Sequence, residues 1–106
     1  MNIATSTRWT FFTNHAHVLF VLANDPEARL RDVAEQVQIT ERAAQRIVRE
    51  LEEDGYLEVV KSGRRNTYRI NPRLALRHPV EEHCSVADLL GVIGAPLDGR
   101  RGRKRT

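Results

Sequence analysis

The hydrophobic positions of this chain repeat with two different periods. Between Ile39 and Leu51, apolar residues recur at i, i+3, i+4 and i+7, which predicts an amphipathic helix with one buried stripe. That stripe consists of Ala44, Ile47, Val48 and Leu51. Thr40 can cap the start of this helix and Gly55 can end it, so we expect it to span about residues 40–54.

After Gly55 the period changes from 3.6 to 2, which is typical of β-strands. Residues 56–61 and 67–70 are predicted strands, and residues 62–66 are predicted to form the hairpin loop between them. Because a two-stranded hairpin is only marginally stable alone, we expect it to pack against the helices.

A first helix is predicted near the N-terminus. Thr13 or Asn14 can cap it, and it spans residues 15–23 before the Asn-Asp-Pro sequence that ends at Pro26. Residues 18–23 are apolar on nearly every face, so we expect this helix to be buried on more than one side.

A short strand at residues 28–30 and a second helix at residues 31–37 are predicted next. A three-residue connection, 38–40, then leads into the amphipathic helix. The order of two helices, a third helix and a hairpin predicts a winged helix-turn-helix, a mainly α fold of the α+β class with a two- or three-stranded antiparallel wing. A last short helix is predicted after Ser85, which forms a capping-box pattern with Asp88.

The polar stripe of the amphipathic helix carries Arg42, Gln45, Arg46 and Arg49. Arginine and glutamine form bidentate hydrogen bonds with guanine and adenine edges, and a helix fits the major groove of DNA. The hairpin loop adds Arg64 and Arg65, which are placed to reach phosphates or the minor groove. The alternative is an ordinary solvated helix face.

The formal net charge of +3 is unevenly distributed. Residues 99–106 contain five of the 17 basic residues and no acid, so residues 1–98 carry 12 basic and 14 acidic groups, a net charge of −2. Between Arg29 and Arg77 the balance is +3, from 11 basic and 8 acidic residues. Positive charge in the body is therefore concentrated around the predicted helix-turn-helix and hairpin.

The chain is expected to form one module with two appendages. Residues 1–13 form an N-terminal arm with three large aromatic residues, residues 14–94 form the domain, and residues 95–106 form a basic tail that we expect to be disordered. The arm aromatics need to be buried either under the body of the domain or against a second subunit, and we favour the subunit contact. The basic tail predicts nonspecific attraction to phosphate.

The segment from Leu30 to Leu57, followed by a basic hairpin, resembles the winged helix-turn-helix of MarR-type transcriptional regulators and is similar to that of ArsR-type repressors. Residues 9–16 and 39–46 also resemble those of a group of short winged-helix regulators. This resemblance implies a homodimer that binds a pseudo-palindromic operator, with the recognition helix (about 40–54) in the major groove and the wing (about 62–66) at the minor groove or phosphates. It implies DNA contacts by nine residues: Thr40, Arg42, Ala43, Gln45, Arg46, Arg49, Arg64, Arg65 and Asn66.

Other kinds of site are weaker hypotheses. His78, His83 and Cys84 lie close in sequence and suggest a metal- or redox-responsive regulator, but no paired ligand spacing supports a metal site. We find no catalytic motif and expect neither an enzyme nor a cofactor. The single cysteine and the lack of a long apolar run predict a cytoplasmic protein without a membrane span. A winged helix that binds another protein stays the main alternative, and any small-molecule effector is unknown.

Overall fold

The computed structural model describes residues 9–94. Helix α1 (Asn14–Asn24) begins where Thr13 accepts a hydrogen bond from the backbone N–H of Ala16, which confirms the predicted start. Val18, Leu19, Leu22 and Ala23 of this helix are buried. Helix α1 contacts the two helices that follow it, the last helix and the second strand of the hairpin, so it is buried on more than one side, as its apolar sequence predicted.

Helices α2 (Leu30–Val37) and α3 (Glu41–Glu53) form the helix-turn-helix. The chain leaves α2 through Gln38, whose φ of 69° is left-handed, and this is the conformation that ends many helices. Thr40 then caps α3 by accepting a hydrogen bond from the N–H of Ala43 at 3.0 Å. The predicted cap and the predicted buried stripe of α3 are both confirmed.

Strands β1 (Leu57–Ser62) and β2 (Arg65–Ile70) pair in antiparallel register, with Leu57 opposite Ile70 and Ser62 opposite Arg65. The predicted loop at residues 62–66 is therefore too long, because only Gly63 and Arg64 lie between the strands. Gly63 has a φ of 65°, which suits the first central position of a two-residue hairpin turn.

The predicted strand at residues 28–30 is absent, and the sheet of the described residues has two strands. A single backbone hydrogen bond runs instead from the N–H of Tyr68 to the carbonyl of Pro26, at 2.8 Å. Pro26 precedes the predicted strand and has no N–H to donate, so this contact does not extend into a ladder. The loop between α1 and α2 nevertheless covers part of the outer edge of β2.

The chain after β2 returns across the domain to helix α4 (Val86–Ile93). Residues 74–76 run antiparallel to residues 84–86, with hydrogen bonds from Leu76 N–H to Cys84 O and from Val86 N–H to Leu74 O, both 2.9 Å. Ser85 and Asp88 form the predicted capping box at the start of α4.

The hydrophobic core joins all of these elements. Its largest fully buried side chains come from α1, α2, α3 and α4: Leu22, Ile47, Leu90, Val18, Val33 and Val86. Tyr56 is also buried and donates a hydrogen bond from its hydroxyl to the carbonyl of Ala75 at 2.7 Å, which ties the start of the hairpin to the returning segment. The architecture is a mainly α winged helix-turn-helix, as the sequence predicted.

Several large apolar side chains remain outside the core. Phe12 packs edge to face on Phe20 of α1, with ring centroids 5.3 Å apart, whereas Trp9 and Phe11 are 69% and 89% exposed. Val92 of α4 is also exposed. Within residues 9–94, no helix is both long and apolar enough to cross a bilayer. Most of the predicted arm (residues 1–8) and the predicted basic tail (residues 95–106) lie outside the described residues.

Candidate nucleic-acid interface

Helix α3 presents a stripe of arginines to solvent. Its buried residues face the core, and Arg42, Arg46 and Arg49 follow one another at i, i+4 and i+7 on the exposed side. Gln45 is exposed next to this stripe, one turn before Arg49. No other element of the described chain covers these four side chains, so the helix can approach a groove with its polar face.

Thr40 and Ala43 lie at the start of the same helix but differ in role. Thr40 is exposed, and its hydroxyl is engaged in the cap. Ala43 is half-buried on the flank of the helix away from Gln45. Because its side chain is a single methyl group, it keeps the first turn of α3 narrow and offers only an apolar contact, of the kind that a thymine methyl group accepts.

Glu50, which was not among the predicted site residues, is a carboxylate that joins the arginine stripe to α1. Glu50 Oε1 lies 2.7 Å from Nε2 of His15, and Glu50 Oε2 lies 3.6 Å from Nη1 of Arg46. The hydrogen bond from His15, and more weakly the positive charge of Arg46, hold the pKa of the Glu50 carboxyl below its ordinary value. Arg46 is four residues from Glu50 in sequence, and His15 is 35 residues away. Only the i, i+4 spacing of Arg46 and Glu50 could therefore have been recognised in the sequence.

The C-terminal turn of α3 has the opposite charge. Glu52, Glu53 and Asp54 are exposed, and Asp54 also pairs with Arg77 from the returning segment. Negative charge at this end would repel phosphate. The positive part of the helix surface is therefore restricted to its first three turns.

The structure separates the three predicted wing residues. Arg64 lies in the turn and is exposed, whereas Arg65 and Asn66 belong to β2. Because successive strand residues point to opposite faces, Arg65 and Asn66 cannot contact the same surface. The Arg65 guanidinium also donates a hydrogen bond of 3.4 Å to the carbonyl of Glu27, which braces the wing against the α1–α2 loop.

The predicted metal-responsive site does not assemble. Within residues 9–94, no three His, Cys, Asp or Glu side chains come together in a way that would hold a metal ion. His78 accepts a hydrogen bond from the N–H of Val80. Cys84 is a free, half-buried thiol whose backbone is held by the returning segment.

The comparison with known families agrees with this architecture. Residues 13–58 match a family model described as winged helix-turn-helix DNA-binding. The match begins at the cap of α1, includes α2 and α3, and ends at the start of β1. No curated protein matches the chain. Fold and match together support the class of winged helix-turn-helix DNA-binding regulators. The MarR-like subgroup and the cytoplasmic location stay predictions.

Proposed function

We propose that this protein is a sequence-specific transcriptional regulator that binds a pseudo-palindromic DNA operator as a homodimer. The observation that carries the proposal is the exposed stripe of Arg42, Arg46 and Arg49 on a helix whose opposite face is fixed in the core. In the proposed complex this stripe and Gln45 contact base edges and phosphates of the major groove. Thr40 and Ala43 approach the duplex at the start of the helix.

The wing contributes a contact beside the groove. Arg64 is the residue at the tip, so we assign it to phosphate or the minor groove. Arg65 and Asn66 flank that contact from opposite faces of β2. Since Arg65 also contacts the Glu27 carbonyl, its main contribution is to hold the wing in position.

Mutations on the helix and on the wing distinguish base recognition from phosphate attraction. A binding sequence is first selected from a random duplex pool, and affinities are then measured over a range of salt concentrations. Arg46→Ala should weaken binding to the selected sequence by about 1–3 kcal/mol for each half-site of the dimer and relax its sequence preference. Arg64→Ala should weaken binding to all sequences and reduce the slope of log K against log salt by about 0.9 for each of the two wings of the dimer.

Arg73→Ala serves as the matched control, because Arg73 is an exposed arginine in the segment after the hairpin. It should leave both the affinity and the salt slope near the wild-type values. If Arg46→Ala, Arg64→Ala and Arg65→Ala all bind DNA as the wild type does, the surface does not bind DNA, and the alternative of a protein-interaction module is favoured.

The homodimer is supported by the apolar side chains left outside the core. Trp9 and Phe11 of the arm and Val92 of α4 are exposed, and such side chains are common at subunit contacts. A symmetric dimer would place its two recognition helices about 34 Å apart, one turn of DNA. Sedimentation at micromolar concentration should show a dimer, and Val92→Asp should shift it toward the monomer. A monomer both with and without DNA would contradict this part of the proposal.

A further inference from the structure

A groove of about 530 Å³ opens beside helix α1. It lies between the start of α1, the end of α3 and the segment that returns to α4. Its apolar wall includes Phe12, Leu19, Leu76 and Leu89. A groove of this size lies within the range of roughly 300–1,000 Å³ that is common for small-molecule sites, and its aromatic side chains suit a flat apolar ligand.

The polar groups of the groove are mainly acidic. Three carboxylates line it, from Glu50, Asp54 and Glu81, together with Arg77 and His15. With His15 neutral, the formal charge of these lining groups is −2. Arg77 is already paired with Asp54, and Glu81 forms no ion pair among the described residues. An anionic ligand would therefore meet uncompensated negative charge, whereas a cation would meet a free carboxylate.

We propose that this groove binds a small aromatic amine in its protonated form. The aromatic body of the ligand would pack against Phe12 and the leucines, and its ammonium group would lie between Glu81 and Glu50. Ammonium ions are favoured both by the carboxylates and by the faces of the phenylalanine rings. A ligand of this kind fills the apolar wall and balances the acidic lining at the same time.

Binding in the groove is linked to the arginine stripe through Glu50. Oε1 of Glu50 contacts His15, which lines the groove, and Oε2 of Glu50 lies 3.6 Å from Nη1 of Arg46. A positive ligand next to Glu50 weakens the attraction between this carboxylate and Arg46. The ligand also reduces the repulsion between Glu50 and the phosphates of DNA. This link rests on the proposed function, and it predicts that the amine increases DNA affinity, with DNA increasing amine affinity by the same factor.

The test of the site uses three compounds with the same biphenyl body and different charges: 4-phenylbenzylamine, 4-biphenylmethanol and biphenyl-4-carboxylate. Their binding to the full chain is measured without DNA by methyl NMR, with the signals of Leu76, Leu89 and Val86 reporting on the groove. The amine should bind about three- to fivefold more tightly than the alcohol, and the carboxylate should bind most weakly. Equal affinities, or shifts of methyl groups elsewhere only, would overturn the proposal.

Two neighbouring glutamates provide a matched pair of variants. Glu81 lines the groove, and Glu82 is exposed outside it. Glu81→Gln should reduce the affinity for the amine about threefold and leave that for the alcohol unchanged, whereas Glu82→Gln should change neither. Equal effects of the two substitutions would refute a specific carboxylate contact. Groove signals that move with protein concentration rather than with amine would show that a second copy covers the groove, which also overturns the proposal.

The final measurement adds the selected DNA duplex. Saturating amine should increase DNA affinity about threefold, and Glu50→Gln should abolish this increase. An unchanged DNA affinity would refute the link through Glu50. A chain that binds the amine but no DNA would refute the proposed function and leave the amine site established, so the two failures are distinguishable.

Discussion

Helix α3 and the hairpin wing both carry arginines to the surface, but they are anchored in different ways. Four residues spread along α3 are buried, so each exposed arginine is fixed by a core residue within one turn. The hairpin buries Leu57 near its base and Tyr68 in its middle, and Arg64 stands on an exposed turn. A contact with a base edge needs fixed geometry, whereas a contact with phosphate tolerates movement. The two elements thus suit two different tasks.

The largest expected difference between the two elements is in stability. Ile47 is 2% exposed, and Ile47→Ala should lower the free energy of unfolding by about 2–5 kcal/mol because it leaves a cavity in the core. Val60 is half-buried on the outer face of the hairpin, and Val60→Ala should lower the free energy of unfolding by only about 1 kcal/mol or less. Urea denaturation of both variants measures the contrast. Similar losses would mean that the hairpin is anchored as firmly as the helix.

The turn of the wing depends on one glycine. At Gly63, with a φ of 65°, a Cβ atom meets no neighbour within 4 Å, so Gly63→Ala should destabilise only through backbone strain, by about 1–2 kcal/mol. Gly91 lies in α4 with equally open surroundings and no positive φ. Gly91→Ala should therefore stabilise the protein by about 0.5–1 kcal/mol. If thermal denaturation shows that both substitutions stabilise the protein, or that both destabilise it, this account is contradicted.

The cap of α3 can be tested without disturbing its core. Thr40→Ala removes the acceptor for the Ala43 N–H and should destabilise the protein by about 1 kcal/mol. Thr40→Ser keeps the acceptor oxygen and should remain near the wild-type stability. Unfolding curves of the two variants that coincide would mean that the cap hydrogen bond does not stabilise α3.

The smallest effect is expected from the pair of Glu50 and His15, which is partly exposed to solvent. Because the folded-state pKa of Glu50 is lowered, its contribution to stability is present above the ordinary glutamate pKa and is lost as pH falls through the lowered value. The stability difference between wild type and Glu50→Gln should therefore shrink in acid, and salt should reduce it.

Glu53→Gln is the control for this pH series, since Glu53 is exposed on the same helix and forms no ion pair with any described residue. Its stability difference from wild type should change little over the same pH range. If Glu50→Gln follows the pH profile of Glu53→Gln, the contact with His15 does not contribute to folding.

The sequence predicted those parts of the structure that a short-range pattern specifies. The stripe of α3, the caps at Thr13, Thr40 and Ser85, and the change of period after Gly55 each involve residues within one or two turns. The wing turn was misplaced because polar residues such as Ser62 and Asn66 continue the strands, and no hydrophobic alternation marks their register.

These short-range patterns could not predict features that depend on tertiary contacts. The His15 to Glu50 contact joins residues 35 positions apart, and the pairing of Arg77 with Asp54 spans 23 positions. Neither has a characteristic spacing. The prediction of a strand at residues 28–30 was wrong for a related reason. A strand requires a continuous ladder of hydrogen bonds, and the loop forms only the one backbone hydrogen bond to β2, through the Pro26 carbonyl.

Helix α1 lies behind both of the arginine-bearing elements. His15 at its start touches α3 through Glu50, and the loop at its end touches β2 through Pro26 and Glu27. A rigid rod attached at opposite ends to two neighbours converts a tilt at one end into displacement at the other. Any event that moves α1, such as a ligand or a second subunit, therefore changes the spacing between helix and wing in one concerted step.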